Sequence, residues 1–150
     1  MNLASRVSRL GTETAFEVLA EVNALREQGH NIIALSIGEP ACATADYIKD
    51  AAKKALDENL THYSPSAGIP EFRTVIAEYV ARTRGISVSP NEVVVVPGGK
   101  PVIFFSILAC VEEGDEVIYP LPGYPIYESM INFVGGKAVP LRLREDRGFS

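Results

Sequence analysis

The sequence predicts an α/β fold of three layers, α/β/α, around a mostly parallel sheet. Short apolar, β-branched runs alternate with segments of helical periodicity, the rhythm of strands covered by helices on both sides. A tight glycine turn joins one such run to an apolar helical segment. With 150 residues and 47% hydrophobic content, the chain can bury a substantial core.

The elements follow in order. Ala15, Phe16, Val18, Leu19, Val22 and Leu25 recur at helical spacing, the pattern stops near Gly29, and Ile32 to Ile37 reads as an apolar strand. Thr44 is placed to cap a helix running to about Asn59, with Ile48, Ala51, Ala52, Ala55 and Leu56 on its apolar face. A loop from Leu60 to Ile69 follows. Pro70 suits a first helical turn, Phe72, Val75, Ile76, Tyr79 and Val80 continue it, and Gly85 ends it. Glu92 to Val96 reads as a strand, Pro97-Gly98-Gly99-Lys100 as a turn and Pro101 to Val111 as a helix closed by Gly114. Glu116 to Tyr119, Tyr124 to Phe133 and Lys137 to Leu143 complete a strand, a helix and a strand. The polar residues Arg144 to Ser150 end without a cap, so the chain is expected to be cut from something longer.

Composition narrows the function. The 14 Lys and Arg are outnumbered by 19 Asp and Glu, the net charge is -5 and no basic block occurs, which argues against nonspecific nucleic-acid or anionic-membrane binding. The N-terminus shows no secretory pattern, and the apolar stretch Pro101 to Val111 is too short to span a bilayer, so cytoplasmic residence is expected. Cys42 and Cys110 form no disulfide framework and are expected to be buried free thiols. His30 and His62 have no second ligand at metal-like spacing and are expected at the surface, so no metal is expected.

Five residues stand out locally, each with an ordinary alternative. Gly98 and Gly99 precede a helix N-terminus whose amides and partial positive charge suit a phosphate; equally, they can simply relieve crowding between strand and helix. The turn is neither a Walker loop nor a dinucleotide fingerprint. Lys100 is disfavoured by helix polarity, so its backbone amide is the useful group, or its side chain is merely solvated. Tyr124, just past a strand, can stack on a planar ring or serve as a core or hinge aromatic. Tyr63 can donate its phenol to a phosphate or simply pack.

Taken together, the order and spacing of Ala34-Leu-Ser-Ile-Gly-Glu-Pro40, Tyr63-Ser-Pro-Ser-Ala-Gly-Ile-Pro-Glu-Phe-Arg73, Val94-Val-Val-Pro-Gly-Gly-Lys100, Gly114-Asp-Glu-Val-Ile-Tyr-Pro120 and Pro122-Gly-Tyr-Pro-Ile-Tyr127 resemble the N-terminal portion of the class I/II aminotransferases, especially the aspartate-aminotransferase-like subgroup. These are fold-type I pyridoxal-phosphate enzymes, and the resemblance runs from about Arg6 to Leu143. It implies a PLP-dependent transferase-like major domain, incomplete here, with residues 1–43 as N-terminal arm and small-domain segment and 44–150 as the first part of the large cofactor-binding domain. The glycine turn is then expected at a strand's carboxyl end.

The resemblance also implies roles. Gly38 offers its amide to a substrate carboxylate, Gly99 and Lys100 give backbone amides to the cofactor phosphate, Tyr124 stacks on the pyridine ring, and Tyr63 reaches the phosphate of a neighbouring subunit, which makes a homodimer with shared sites. The implied reaction exchanges an amino group between an amino acid and a 2-oxo acid. The covalent lysine, the ring-nitrogen Asp and the substrate-clamping Arg are expected beyond the position of Ser150, so no catalytic residue is assigned in this chain and it is expected to be inactive alone. Ala41-Cys42-Ala43 departs from the Asp-Phe of many relatives, and Pro101 from a usual polar residue or Ala. The alternatives are a pyridoxal-phosphate lyase, a ligand-sensing module of the same fold, for whose DNA-binding segment Met1 to Leu10 leave no room, and a binding domain without cofactor, against which Gly99, Tyr124 and Tyr63 argue.

Overall fold

The computed structural model describes residues 2–11 and 14–150, with the side chains of 14–16 excepted. Ala15 and Phe16, expected on the apolar face of the first helix, therefore lie outside the described side chains. The chain divides into two compact units, one formed by Met1–Gly38 with Gly98–Ser150 and the other by Glu39–Pro97.

The first unit holds helix α1 (Thr14–Glu27), helix α4 (Gly99–Cys110), strand β1 (Glu116–Leu121), helix α5 (Ile126–Val134) and strand β2 (Lys137–Arg142). The strands pair in parallel, from Glu116 opposite Lys137 to Leu121 opposite Arg142, with α5 as the crossover. This is the parallel pairing that the alternation of apolar runs and helices predicts. Backbone bonds extend the ladder at both ends, Lys137 N–H donating to the Asp115 carbonyl at 2.7 Å and Leu143 N–H to that of Leu121 at 2.8 Å.

α5 fixes the core of this unit. Met130 and Ile131 are buried, beside the buried ring of Tyr119 from β1. Full burial of a side chain such as Ile131 stabilises by about 1.5–3 kcal/mol. The helix stops at Gly135, which takes a left-handed conformation with φ 93° and donates to the Asn132 and Ile131 carbonyls. Gly136 follows because the chain there passes very close to its neighbours: a Cβ would lie 2.9 Å from Val111 Cγ1 and 3.1 Å from Ile131 Cγ2. On α4, Phe104 contacts Phe133 of α5 at 6.3 Å between ring centroids. A short 3₁₀ turn, Ser5–Arg9, also packs in this unit, its Arg6 guanidinium 5.8 Å from the Phe133 ring centre.

The second unit holds helices α2 (Asp46–Asp57) and α3 (Pro70–Arg84) and a 3₁₀ turn at Pro90–Glu92. α3 has the predicted ends: Pro70 occupies the first turn, and Gly85 caps it with φ 67°, its N–H on the Ala81 carbonyl. α2 carries the exposed pairs Lys49–Asp46, Lys53–Asp50 and Lys54–Glu58, which contribute little to stability.

Several expectations need correction. Ile32 to Ile37 forms no ladder; its side chains alternate between shielded and exposed, with Ile33 86% and Leu35 92% exposed. Glu92 belongs to the 3₁₀ turn, and residues 93–96 run on without a sheet partner among the described residues. In both runs the β-branched residues favour an extended backbone, but a ladder also needs a neighbour. Thr44 caps nothing: Ala45 is the N-cap, without a side-chain bond, and Asp46 places its carboxylate in the first turn, where helix polarity favours it. The helix expected from Tyr124 starts at Ile126. Cys42 and Cys110 are exposed free thiols, not buried ones.

Candidate active site

The glycine turn is built by Gly98. Its φ 100° and ψ 169° lie in a region open essentially to glycine alone, and it is the N-cap of α4. Gly99 and Lys100 then open the helix, and Pro101, lacking an N–H, follows. Among the described residues no side chain caps this end, and none of the residues of its first turn is acidic, so the helix polarity there is not offset from within the turn. A Cβ built on Gly99 meets nothing within 4 Å, which leaves the helix end open to approach.

Tyr124 follows the carboxyl end of β1, as the position of ligands in parallel sheets requires. Its ring is 43% exposed and stands edge-on to Tyr127, centroids 6.1 Å apart at 87°. Gly123 shapes the approach, because a Cβ there would lie 2.2 Å from the Pro120 carbonyl oxygen. Behind this loop the ring of Tyr119 is buried, within reach of the Glu128 carboxylate's field. Burial pushes the Tyr119 phenol above its ordinary value, the neighbouring Glu128 carboxylate adds to that, and Arg142 opposes it.

Gly38 is exposed, and a Cβ on it meets nothing within 4 Å. Two residues before it, the Ser36 hydroxyl is buried without a hydrogen-bond partner among the described residues. Gly38, Gly99, Lys100 and Tyr124 belong to the first unit and Tyr63 to the second. Tyr63 is fully exposed, at 108%.

The sequence marks Gly98 and Gly99 together as a turn and gives the phosphate contact to Gly99, but it assigns no role to Gly123; the geometry of Gly98 and Gly123 is the more demanding. Both follow a proline, so Pro97-Gly98 and Pro122-Gly123 were already turn signals. An apolar groove of about 280 Å³ also lies between α4, β1 and α5, lined by Ile103, Ile107, Val117 and Ile131 among others, and no charged side chain lines it. His30 and His62 are exposed. Among the described residues, no group of three His, Cys, Asp or Glu could hold a metal, and no helix is long and apolar enough to cross a membrane.

An α/β unit with a glycine-opened helix end and an aromatic beyond a strand's carboxyl end defines a protein equipped to hold an anionic, ring-bearing ligand. The sequence profile described as "Aminotransferase class I and II" matches residues 30–150, and the chain belongs to that family. It is 42% identical over 147 residues to the probable aspartate/prephenate aminotransferase of Aquifex aeolicus, covering 98% of this chain and 37% of that protein. Identity to the aspartate/prephenate aminotransferase of Thermus thermophilus is 39%, covering 98% and 38%. Among solved structures, aspartate aminotransferase from Thermus thermophilus with maleate superposes with a TM-score of 0.92 at 38% identity, covering 99% of this chain and 39% of that one. The chain thus spans well under half the length of these relatives.

Enzymes of this family work with pyridoxal phosphate. The residues present fit that group: a glycine-only turn, a helix whose first turn carries no acidic residue and has room over Gly99, and a partly exposed aromatic ring.

Proposed function

We propose that the protein carrying this chain transfers an amino group between an L-amino acid and a 2-oxo acid, with pyridoxal phosphate as cofactor, as a cytoplasmic homodimer. The α4 turn carries the reading: glycine-only geometry at Gly98, ahead of a helix whose first turn holds no acidic residue, in a chain of this family. The backbone amides of Gly99 and Lys100 hold the phosphate, and Tyr124 lies against the ring. The Gly38 amide holds the substrate carboxylate, and the Tyr63 phenol donates to the phosphate bound by a second copy. Acidic amino acids are the first substrates to assay, since two relatives are named for aspartate and the solved one was determined with maleate, a dicarboxylate.

When bound, the cofactor supplies a ring that withdraws the electrons left as the substrate loses its Cα proton. The residues of this chain orient the reactants. Three separate anchors, on phosphate, ring and carboxylate, fix which Cα bond stands perpendicular to the ring, and so which bond is broken. The proton-transferring lysine belongs elsewhere in the complete protein. In keeping with a larger assembly, α4 is apolar almost all round, yet Val102, Phe105 and Leu108 are each about half exposed.

The test follows amino-group exchange by the complete protein beside residues 1–150 alone. The complete protein should turn over and the shorter chain should not, while Tyr124→Leu in the complete protein weakens cofactor binding and lowers turnover. Sustained turnover by residues 1–150, or a Tyr124→Leu protein with unchanged affinity and rate, would refute these assignments.

A further inference from the structure

We infer that Arg73 is a positioning residue that, through the main chain of residues 91–95, holds the loop presenting Tyr63. The inference rests on the reading that Tyr63 binds cofactor phosphate. The geometry lies wholly within the second unit. After Tyr63 the loop folds into a turn in which Gly68 N–H donates to the Pro65 carbonyl at 2.9 Å. A second carbonyl inside that turn, of Ala67, accepts from Val95 N–H at 2.9 Å. The loop is therefore tied to the extended run of residues 93–96, which has no ladder to hold it among the described residues.

Arg73, one turn into α3, supplies the missing restraint. Its Nε–H donates to the Val93 carbonyl at 2.9 Å in a partly buried bond, and its second guanidinium nitrogen approaches Asn91 Oδ1 at 3.5 Å. Asn91 is itself fixed, because Ser89 and Glu92 form a reciprocal capping box around it: Asn91 N–H donates to Ser89 Oγ at 3.3 Å and Ser89 N–H to Glu92 Oε2 at 2.7 Å. A guanidinium suits the task because its planar fork meets two acceptors at once. Gly68 lets the two strands of this clasp meet: with φ 102°, it tolerates no side chain, and a Cβ would lie 2.7 Å from Val95 Cγ2.

The clasp has a clear beneficiary. Tyr63 at 108% exposure buries nothing of its own, so its loop gains no order from its ring and must be ordered by its backbone. Preorganising a donor removes the cost of ordering it when the ligand arrives.

Two measurements on the complete protein test this. In the cofactor-free form, Arg73→Gln should speed hydrogen exchange at the Gly68 and Val95 amides by about tenfold or more while amides in the middle of α3 keep wild-type rates. Arg73→Lys, which keeps one charged donor, should recover part of the protection. Pyridoxal phosphate affinity is then titrated by fluorescence in a double-mutant cycle. Arg73→Gln should weaken it by about tenfold in the wild-type background and by much less in Tyr63→Phe, where the donor is already gone. An equal loss in both backgrounds marks a merely structural arginine and overturns the inference, as does unchanged exchange at Gly68 and Val95. If Tyr63→Phe leaves affinity unchanged while the exchange difference persists, the phosphate role of Tyr63 is refuted and the clasp on its loop stands.

Discussion

Replacing Gly123 with alanine tests whether loop geometry places Tyr124. The added Cβ would lie 2.2 Å from the Pro120 oxygen, 3.1 Å from its carbonyl carbon and 3.3 Å from its Cγ. An ordinary contact with that oxygen needs about 1 Å more, since such contacts are comfortable only near van der Waals separation. Pro120 cannot readily yield it, because β1 is held along its length by β2 and Leu143 N–H still grips the Leu121 carbonyl at 2.8 Å. The loop must move instead, and Tyr124 with it. Overpacking of this kind typically costs about 1–3 kcal/mol in stability. A displacement of about 1 Å in a positioning group can cost up to about a hundredfold in rate. In the complete protein, Gly123→Ala should therefore lose cofactor affinity in a fluorescence titration and lose turnover by a larger factor, while far-UV circular dichroism stays near wild type. Gly11→Ala is the control, since its Cβ would meet Ser129 at an ordinary 3.7 Å and should change neither quantity. Wild-type affinity and rate in Gly123→Ala would refute the reasoning from loop to ring.

Other outcomes follow from single features. Gly98→Ala must leave the glycine-only region or strain it, at about 1–3 kcal/mol, so pyridoxal phosphate affinity should fall clearly; unchanged binding would remove Gly98 from the cradle. Ile131→Ala empties the most buried side-chain position and should destabilise the complete protein by about 2–5 kcal/mol in denaturant titration; a loss well under 1 kcal/mol would place the core elsewhere. Lys137, chiefly through its hydrogen bond and then its charge, holds the Glu116 carboxyl below its ordinary value, and Glu116 likewise holds Lys137 above its own. The Glu116 contribution is present above its unfolded-state value and lost as pH falls through the lowered one; that of Lys137 is present below its unfolded-state value and lost as pH rises through the raised one. The stability difference between wild type and Lys137→Met should therefore be small, greatest at neutral pH and weakened by salt, and a difference that is flat with pH and salt would show the pair to be inert.

What was legible in the sequence was whatever is decided within a few residues. Pro70 and Gly85 bound α3 because ring closure and a left-handed cap act on their own backbone. The runs Glu116 to Tyr119 and Lys137 to Leu143 could be read as parallel strands because a helix of ordinary length joins them, and the strands formed differ from those runs only at their carboxyl ends. The same β-branched chemistry at Ile32 to Ile37 and Glu92 to Val96 promised strands that are not formed among the described residues, since extension is local and pairing is not. Thr44 looked like a cap from its type alone, yet the helix starts one residue after Ala45, and nothing in the local residues fixes a boundary that closely.

The site divides along the same line. That glycines belonged in the α4 turn was readable, but not that Gly98 bears the conformational demand while Gly99 leaves open space, since φ and a clash distance exist only once the chain has turned. In the sequence Tyr124 stood just past a strand and Tyr63 in a loop, and each could pack as well as bind. Their surroundings now separate them: Tyr124 has Tyr127 at its edge and a steric lock at Gly123, so its own unit orients its ring. Tyr63 has no such support for its ring, only a backbone held by Gly68, Val95 and Arg73. An exposed aromatic gains nothing from burial, so ordering its loop pays off only through a contact the ring makes outside its own unit. That asymmetry is why loss of Arg73 should act on Tyr63 through order alone, whereas loss of Gly123 acts on Tyr124 through displacement.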